Sequence, residues 1–318
     1  MRLAFTIQRY NPELDIAPHD ETYRLDISRG MTVLDALIRI KNELDGRLAF
    51  RYSCRSAICG SCAMTINGAA KLACRTSVRQ EWERHGRITV GPLKNLPVLK
   101  DLAADMRPFW GKIQAIEPWL LTEPAPTGTG GFLPITEGSY QFHNAEACIM
   151  CGACVAACTS HEADRRFLGP AALAKAYRFV ADPRESAEAK QARLAALQGQ
   201  TGMWDCVRCN FCVEVCPKDV QPMEQIIRLR RAAIEAGLTK TEGARHVMGF
   251  RQLIARFGRL NEALMPLKVI GFSPRRFLHI LPLGIRMLLK GKVPNPLHAS
   301  IKGIEQVRAI LKRHTREV

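Results

Sequence analysis

The architecture of this 318-residue chain is decided by the stretch Cys206-Val-Arg-Cys209-Asn-Phe-Cys212-Val-Glu-Val-Cys216-Pro217. Its cysteines follow the spacing C-x2-C-x2-C-x3-C-P. An earlier copy, which lacks the proline, comprises Cys148, Cys151, Cys154 and Cys158, and each cysteine of the later run lies 58 residues after its counterpart. This spacing is typical of [4Fe–4S] clusters, and the fourth cysteine of such a run ligates the other cluster of a pair.

The repeated run predicts two clusters that lie back to back. Three cysteines at i, i+3 and i+6 wrap one tight loop around a cluster, whereas the cysteine four residues later begins a helix and points the opposite way. We therefore expect one [4Fe–4S] cluster to be held by Cys148, Cys151, Cys154 and Cys216. The other is expected to be held by Cys158, Cys206, Cys209 and Cys212.

The composition favours metal ligation over disulfide bonding. All 12 cysteines fall into motifs, and both the length and the repeated C-x2-C spacing are unlike those of a small disulfide-rich secreted protein. Thiolates that ligate iron need a reducing compartment, so we expect the cytoplasmic side. The beginning Met1-Arg-Leu-Ala-Phe is typical of a strand, and we expect no signal peptide.

The net charge of +16 is concentrated near the end of the chain. From residue 239 onward there are 16 Lys or Arg and 4 Asp or Glu, which is three quarters of the excess. No apolar run reaches the roughly 18 residues needed to span a bilayer. The best candidate, Phe277 to Leu289, is short and contains Arg286, so we expect a peripheral protein without transmembrane helices.

Residues 1–105 are predicted to form a plant-type ferredoxin (β-grasp) domain. Strands are expected over Arg2–Tyr10 and Thr22–Ile27, followed by a helix with Thr32 as its N-cap and Asp35 in a capping box. A loop with the spacing C-x4-C-x2-C then precedes a fourth cysteine, which is the plant-type [2Fe–2S] pattern. The predicted ligands are Cys54, Cys59, Cys62 and Cys74.

Small residues in this loop, including Gly60 and Ser61, are predicted to let backbone N–H groups turn towards the cluster. Arg55 is a candidate for tuning the cluster by its charge, or equally a solvated surface residue. A hairpin turn at Asn67-Gly68 is expected to return Cys74 to the site. A zinc site is the alternative, but zinc sites usually present two C-x2-C pairs and this loop has one.

Beyond this domain we predict a linker at 106–145, an α-helical two-cluster domain resembling bacterial ferredoxins at 146–237, and a basic helical extension at 238–318. The fold class is therefore α+β. Proline and glycine between Glu123 and Pro134 argue against regular structure there. Helices are expected over Ala171–Val180, Glu185–Gln198 and Met223–Leu238.

Residues 1–237 resemble the iron–sulfur subunits of succinate dehydrogenase and fumarate reductase. The resemblance extends beyond the cysteines, to stretches such as Ile116-Glu-Pro-Trp119 and Leu168-Gly-Pro-Ala-Ala-Leu173. It implies an electron-transfer subunit with three clusters, which takes electrons from an FAD-bearing subunit and passes them to a membrane-associated, quinone-reducing partner. By the resemblance, the [2Fe–2S] cluster is nearest the flavin. No base, nucleophile or phosphate-binding glycine loop indicates a catalytic site in this chain.

The sequence departs from this family at the third site. Members commonly hold a [3Fe–4S] cluster there, because the position of Cys209 is not cysteine. Here a fourth thiolate predicts [4Fe–4S], with [3Fe–4S] as the alternative. The proline expected after Cys158 is Thr159, and the tryptophan and histidine usual near the quinone are missing. His161 could replace them, although a lone histidine is more often a surface or capping residue.

Residues 238–318 are predicted to form short helices broken at Pro266, Pro274, Pro282 and Pro294-Asn-Pro296. Phe250, Leu253, Ile254 and Phe257 are expected to share an apolar face. Three interpretations remain open: a contact with an anionic membrane surface, a docking arm for an acidic partner, and a solvated basic tail. The segment also resembles the tail of the small iron–sulfur subunit of heterodisulfide reductases, which implies a cysteine-rich, non-transmembrane acceptor subunit.

Two other functions are weighed against this interpretation. The chain could serve another flavoprotein complex linked to heterodisulfide or thiol chemistry. It could also be a structural zinc or nucleic-acid-binding protein, which the basic charge alone would allow. We expect no nucleic acid partner, because there is no reader motif and few aromatic residues are available for stacking.

Overall fold

The computed structural model describes residues 1–121, 142–271, 274–295, 297 and 299–316. The chain forms two compact units, Met1–Ala232 and Ala233–Val318. The first unit thus includes most of what the sequence divides into 1–105, 106–145 and 146–237, and those finer boundaries stay predictions. The stretch from Glu123 to Pro134, predicted to be irregular, lies outside the described residues.

The first part of unit Met1–Ala232 is built on two β-sheets. The strands are β1 (Arg2–Arg9), β2 (His19–Asp26), β3 (Ala63–Ile66), β4 (Ala69–Leu72), β5 (Ile88–Gly91), β6 (Val98–Lys100) and β7 (Ala103–Ala104). Five of them form a mixed sheet with the order β2-β1-β5-β3-β4, and β6 and β7 form a separate two-stranded sheet. β1 pairs antiparallel with β2 and parallel with β5, and β3 pairs antiparallel with both of its neighbours.

Alternation along β1 explains which face of the sheet is buried. Leu3, Phe5 and Ile7 point into the core, whereas the residues between them are partly exposed. Helix α1 (Val33–Glu43) packs against the sheet at β2. It begins at the predicted capping box, because Thr32 accepts from the Asp35 N–H and the Asp35 carboxylate accepts from the Thr32 N–H. The predicted start of this helix is therefore confirmed.

The predicted hairpin turn lies between β3 and β4. Ile66 pairs with Ala69, and both turn residues are left-handed, with φ of 47° at Asn67 and 84° at Gly68. The hairpin returns the chain so that the Ala73 N–H donates to the Cys62 carbonyl at 3.0 Å. The turn therefore brings Cys74 beside the loop that holds the other three cysteines of the first motif.

The rest of this unit is helical, which gives the α+β class predicted from the sequence. The helices predicted from 171, 185 and 223 are observed over Gly169–Val180, Ala187–Ala196 and Pro222–Glu235, with ends that differ by a few residues. The helices after α1 are α2 (Val78–His85), α3 (Arg107–Gln114), α4 (Ala153–Ala156), α5 (Thr159–Ala163), α6 (Gly169–Val180), α7 (Ala187–Ala196), α8 (Phe211–Glu214) and α9 (Pro222–Glu235), the last of which continues into the second unit.

Asn95 fastens the sheet region to the helical region. Its backbone is left-handed, and its side-chain amide donates to the carbonyl oxygens of Val155, Ala156 and Cys158 at 3.0 to 3.2 Å. These carbonyls lie in the last turn of α4 and at the residue that precedes α5. One amide group thus fixes the cysteine run against the first domain.

Unit Ala233–Val318 contains helices α10 (Glu242–Phe257), α11 (Met265–Ile270), α12 (Pro274–Leu289) and α13 (Ile304–Arg316). α10 and α11 pack closely at Gly249, where an added Cβ would lie 2.8 Å from the Cβ of Lys268. Of the predicted apolar face, Leu253 is buried but Phe250 is exposed. None of the helices in the described part of the chain is long and apolar enough to cross a membrane.

The prediction that Pro282 breaks a helix is wrong. Pro266 and Pro274 stand in the first turns of α11 and α12, where proline is tolerated, but Pro282 lies inside α12. The proline removes the hydrogen bond to the Leu278 carbonyl. Because α12 has no buried residue, water can reach the carbonyl that is left without its helical donor.

A buried ion-pair network ties the sheet to the loops around it. Arg9, at the end of β1, is 6% exposed and contacts Asp45 at 2.5 Å and Asp101 at 3.1 Å. The Tyr23 hydroxyl donates to Asp45 at 3.0 Å. Burial alone would raise the pKa of Asp45, but the hydrogen bonds from Arg9, Arg47 and Tyr23 outweigh it and hold that pKa below its ordinary value.

We expect Arg9→Met to lower the free energy of unfolding by about 3 kcal/mol, because it leaves buried carboxylates without their cation. A pKa that is lower in the folded state gives stability above the unfolded pKa, and this stability is lost as the pH falls. Thermal melting of the full chain from pH 7 to pH 3 would test both points. Arg24→Met, at an exposed position of β2, is the control. Equal melting temperatures for the two variants would show that the buried Arg9 network does not stabilise the fold.

Candidate iron–sulfur centres

The loop from Cys54 to Cys62 turns its backbone N–H groups towards sulfur. Arg55, Ala57 and Gly60 have left-handed backbones, with φ of 56°, 54° and 74°. The N–H groups of Ser56, Ile58 and Cys59 donate to the Cys54 sulfur, and that of Ala57 donates to the Cys74 sulfur, all at 3.3 to 3.4 Å. The loop is thus preformed for anionic sulfur, because such donors stabilise charge on the ligands.

The first four cysteines are arranged as two pairs. The thiol of Cys59 is hydrogen bonded to Cys54, and that of Cys62 to Cys74. The Ser61 hydroxyl, followed by backbone N–H groups, lowers the pKa of Cys59 to about 6. Burial raises the pKa of Cys62 to about 12. Two adjacent thiol pairs fit a [2Fe–2S] cluster, in which each iron takes two cysteines.

Arg55 stays on the surface beside this loop. Its side chain is exposed, and the guanidinium carbon lies 5.3 Å from the centre of the Tyr52 ring. The positive charge is therefore next to the cysteine loop but is solvated. This position is compatible with both interpretations made from the sequence.

A second group joins the first cubane run to the end of the later one. Cys148, Cys151, Cys154 and Cys216 line one small cavity with apolar neighbours such as Ala171 and Val220. Burial raises the pKa of Cys151 to about 11, and it raises the pKa of Cys154 well above its ordinary value. The negative charges of the other three cysteines act in the same direction. These four thiols are the set expected from the sequence for one [4Fe–4S] cluster.

A third group takes one cysteine, Cys158, from the first run and the other three from the second run. Burial, followed by the charges of Cys206, Cys158 and Cys209, raises the pKa of Cys212 to about 12, so these four thiols lie close together. The charge of Cys212 also acts on Cys154, which places the second and third groups next to each other. Each group thus takes three cysteines from one run and the fourth from the other.

The two cubane runs repeat the same backbone shape. Met150 and Arg208 are left-handed, as are Gly152 and Asn210, which precede α4 and α8. Both pairs are 58 residues apart, as are the cysteines. The sequence repeat is therefore a repeat of the loop that surrounds each group of thiols.

The first and second thiol groups meet at Gly60. A Cβ added at Gly60 would lie 2.8 Å from the Cβ of Cys151 and 3.0 Å from the carbonyl oxygen of Ile149. No side chain fits between these loops. Gly60 is thus required both by its left-handed backbone and by the close approach of the second cysteine loop.

Two cations beside the third group, the buried Arg230 and the half-buried Lys112, were missed from the sequence. Arg230 is 6% exposed and donates to the carbonyls of Met203, Trp204 and Cys206 at 2.7 to 3.0 Å. Lys112 donates to the carbonyls of Arg165 and Phe167. The sequence did contain a signal that Arg230 is buried. It lies four residues after Ile226 and three before Ala233, which places it on the buried stripe of α9.

The expectation that His161 is a surface or capping residue is wrong. His161 is only 4% exposed, and its Nδ1 lies 3.0 Å from the Lys112 ammonium nitrogen. Burial, and then the Lys112 charge, lower the pKa of His161. Its backbone N–H donates to the Cys158 sulfur at 3.4 Å. His161 thus belongs to the packing behind the third group.

The described residues do not include three or more His, Cys, Asp or Glu side chains arranged to hold a metal ion. Cysteines of a multi-iron cluster ligate different iron atoms, so they need not converge on one point as the ligands of a zinc ion do. The donor sets found here, with four thiols in each, fit iron–sulfur clusters in number and chemistry.

The fold and these thiol groups define an iron–sulfur protein of the electron-transfer class. Residues 4–111 match the family model described as a 2Fe-2S iron-sulfur cluster binding domain. Residues 144–220 match a 4Fe-4S dicluster domain. The chain also belongs to the family of iron–sulfur subunits of fumarate reductase and succinate dehydrogenase, as its relatives show.

The fumarate reductase iron–sulfur subunit of Haemophilus influenzae is 38% identical over 231 residues, covering 69% of this chain and 88% of that protein. The corresponding subunit of Mycobacterium tuberculosis is 37% identical, covering 75% and 96%. The succinate dehydrogenase iron–sulfur subunit of Paracoccus denitrificans is 38% identical, covering 73% and 88%. Function as an electron-transfer iron–sulfur subunit follows from this membership.

A solved structure has the same fold. A chain of the Mycobacterium smegmatis Sdh1 complex in the apo form superimposes with a TM-score of 0.64 at 24% identity. The match covers 74% of this chain and 96% of that one. About a quarter of this chain is therefore additional to that structure.

We expect Gly60→Ala to separate the first and second cysteine loops, because the new methyl group would overlap Cys151. Gly68→Ala is a matched control, since Gly68 also has a positive φ but no atom lies near its added Cβ. Both variants carry a left-handed strain of about 1 kcal/mol. Only Gly60→Ala should also weaken the magnetic interaction between the reduced [2Fe–2S] cluster and its neighbour, measured by power saturation of the paramagnetic resonance signal. Equal saturation in both variants would refute the contact.

Proposed function

We propose that the chain connects an FAD-bearing subunit, which acts on succinate or fumarate, to a quinone-reducing partner on the membrane. The observation that carries this proposal is the exchange of the fourth cysteine between the two runs, which holds two thiol groups side by side. Clusters bound there would supply one-electron carriers between a two-electron flavin and a quinone. The names of the relatives, fumarate reductase and succinate dehydrogenase, support the assignment of the substrates.

We assign ligand sets to the three groups. Cys54, Cys59, Cys62 and Cys74 hold the [2Fe–2S] cluster. Cys148, Cys151, Cys154 and Cys216 hold a [4Fe–4S] cluster, and Cys158, Cys206, Cys209 and Cys212 hold the third. Gly60 and Ser61 support the first site by backbone shape and by a hydrogen bond to Cys59. Arg55 adds a solvated positive charge at its rim. In this proposal the chain positions and tunes these clusters, and the catalytic site belongs to the FAD-bearing partner.

The test is to purify the tagged protein from its native membranes under mild detergent and to identify its companions. A flavoprotein must be among them, and succinate must reduce the clusters in the isolated complex. We propose that the electron acceptor is a further companion that is cysteine-rich and lacks transmembrane helices. A companion with several transmembrane helices would instead indicate the usual architecture of the family. Clusters that succinate leaves oxidised, but that a thiol donor reduces, would overturn the succinate assignment.

We propose that the third cluster is [4Fe–4S], not [3Fe–4S]. Three cysteines suffice for a three-iron cluster, whereas a fourth thiolate retains the fourth iron. Cys209 supplies this fourth thiolate, at the same place in its run as Cys151 in the other. Its sulfur lies 3.4 Å from the Thr159 hydroxyl.

Cys209→Ile is expected to convert the third cluster into a [3Fe–4S] form, because three thiols remain. The oxidised protein should then show the paramagnetic resonance signal of a three-iron cluster, and its iron content should fall by one atom per chain. Val207→Ile is the control, since Val207 is exposed and lies in the same loop. A three-iron signal already present in the unmodified complex would contradict the [4Fe–4S] assignment.

We propose that helix α12 holds the protein on the anionic, cytoplasmic surface of the membrane. Helical periodicity places most of its apolar residues on one face, namely Phe277, Leu278, Leu281, Ile285, Leu288 and Leu289. The other face, with the turn that follows, carries Arg275, His279, Arg286 and Lys290. Between Glu262 and Glu305 the sequence has no acidic residue. An exposed apolar face bordered by cations fits the surface of an anionic bilayer.

Leu281→Glu with Ile285→Glu should reduce binding to vesicles of phosphatidylglycerol at least tenfold, since each charge would have to enter the acyl region. Leu283→Glu is the matched control, because Leu283 is exposed on the cationic face. Cosedimentation of the full chain measures the effect. Equal binding by both variants, or binding only when the companion subunits are present, would exclude the lipid surface and point to a protein partner.

A further inference from the structure

Two of the departures from the family pattern, Thr159 and Cys209, are in contact in the structure. Thr159 follows Cys158 in the first run, and Cys209 belongs to the second run, 50 residues away. The Thr159 hydroxyl donates to the Cys209 sulfur at 3.4 Å, and the Thr159 backbone N–H is a second donor to the same atom. The fourth thiol of the third group is thus met by two donors from the opposite run.

Both donors depend on the residue at position 159. Proline would be accommodated there, because it is the first position of α5, where proline is favoured in helices. Proline has neither a hydroxyl nor an N–H group. Threonine therefore adds two donors without disturbing the helix, and the sulfur of Cys209 is their acceptor.

The surroundings show why such donors are useful. Cys209 is only partly exposed, and the Thr159 hydroxyl lies 3.4 Å from its sulfur. The nearby cation Arg230 points its N–H groups at backbone carbonyls, including that of Cys206, and not at this sulfur. Hydrogen bonds from position 159 are therefore a local means of compensating the added negative charge.

We propose that Thr159 is a positioning residue for Cys209, and that its two hydrogen bonds raise the reduction potential of the third cluster. A fourth thiolate lowers the potential of a cluster, whereas hydrogen bonds to ligand sulfur stabilise the reduced, more negative state. Thr159 thus offsets part of the effect of Cys209. This inference rests on the proposed [4Fe–4S] cluster at the third site.

Three substitutions separate the two donors. Thr159→Ser keeps both, Thr159→Val keeps the N–H but removes the hydroxyl at nearly the same shape, and Thr159→Pro removes both. Ser160→Ala is the matched control, because the Ser160 hydroxyl lies in the same turn but accepts a hydrogen bond from the Val207 N–H at 3.4 Å.

The experiment is a potentiometric titration of the purified complex, followed by paramagnetic resonance. At a fixed potential, Thr159→Val should lower the ratio of reduced to oxidised third cluster by roughly fivefold, the effect of one hydrogen bond worth about 1 kcal/mol. Thr159→Pro should lower it further, while Thr159→Ser and Ser160→Ala should match the unmodified protein. The other two clusters of each variant serve as internal references.

The outcomes separate this inference from the one on which it rests. A three-iron signal in the unmodified complex overturns the [4Fe–4S] assignment. A [4Fe–4S] cluster whose potential is the same in Thr159→Val as in the unmodified protein overturns the role of Thr159 alone. If Thr159→Pro loses the cluster, the comparison of Thr159→Val with Thr159→Ser decides the question.

Discussion

Each cubane site requires thiols from two segments that are distant in the chain, and this requirement governs the whole helical region. Cys216 must return to the loop of Cys148, and Cys158 must reach the loop of Cys206. The residues between the runs therefore form helices that leave and come back, and α6 is buried along nearly its whole length. Burial and mutual repulsion raise the pKa of thiols such as Cys154 and Cys212. Collecting these groups as thiolates is therefore unfavourable without metal, and we expect folding of this region to be coupled to iron binding.

In the sheet region the four cysteines lie close together in sequence, in one loop and just after one hairpin. Sequence signals that depend on neighbouring residues were therefore enough to predict this site. The spacing of the loop, the capping box at Thr32 and the turn at Asn67-Gly68 each depend on residues close together in sequence, so they could be inferred without knowing the fold. The repeat of the cubane runs likewise predicted which thiols the structure brings together, because the 58-residue offset applies to every cysteine.

Contacts between distant segments could not be inferred in the same way. The burial of His161 depends on Lys112, and the hydrogen bond at Cys209 depends on Thr159, which the sequence marked only as unusual. The buried network of Arg9 joins residues up to 92 positions apart. Pro282 shows the opposite error, because a local rule for helix breaking was applied to a helix whose exposed backbone can tolerate a missing hydrogen bond.

The close approach of Gly60 to Cys151 has a consequence for the rate of electron transfer between the clusters that these two loops would bind. Electrons cross between redox centres by tunnelling, and the tunnelling rate falls exponentially with the width of the insulating gap. A glycine at position 60 lets two ligand loops meet without a side chain between them, with only 2.8 Å from its ideal Cβ position to Cys151. With clusters bound by the two loops, the smallest residue of the first loop would keep the barrier between them thin, so the choice of glycine there would bear on electron flux as well as on backbone geometry.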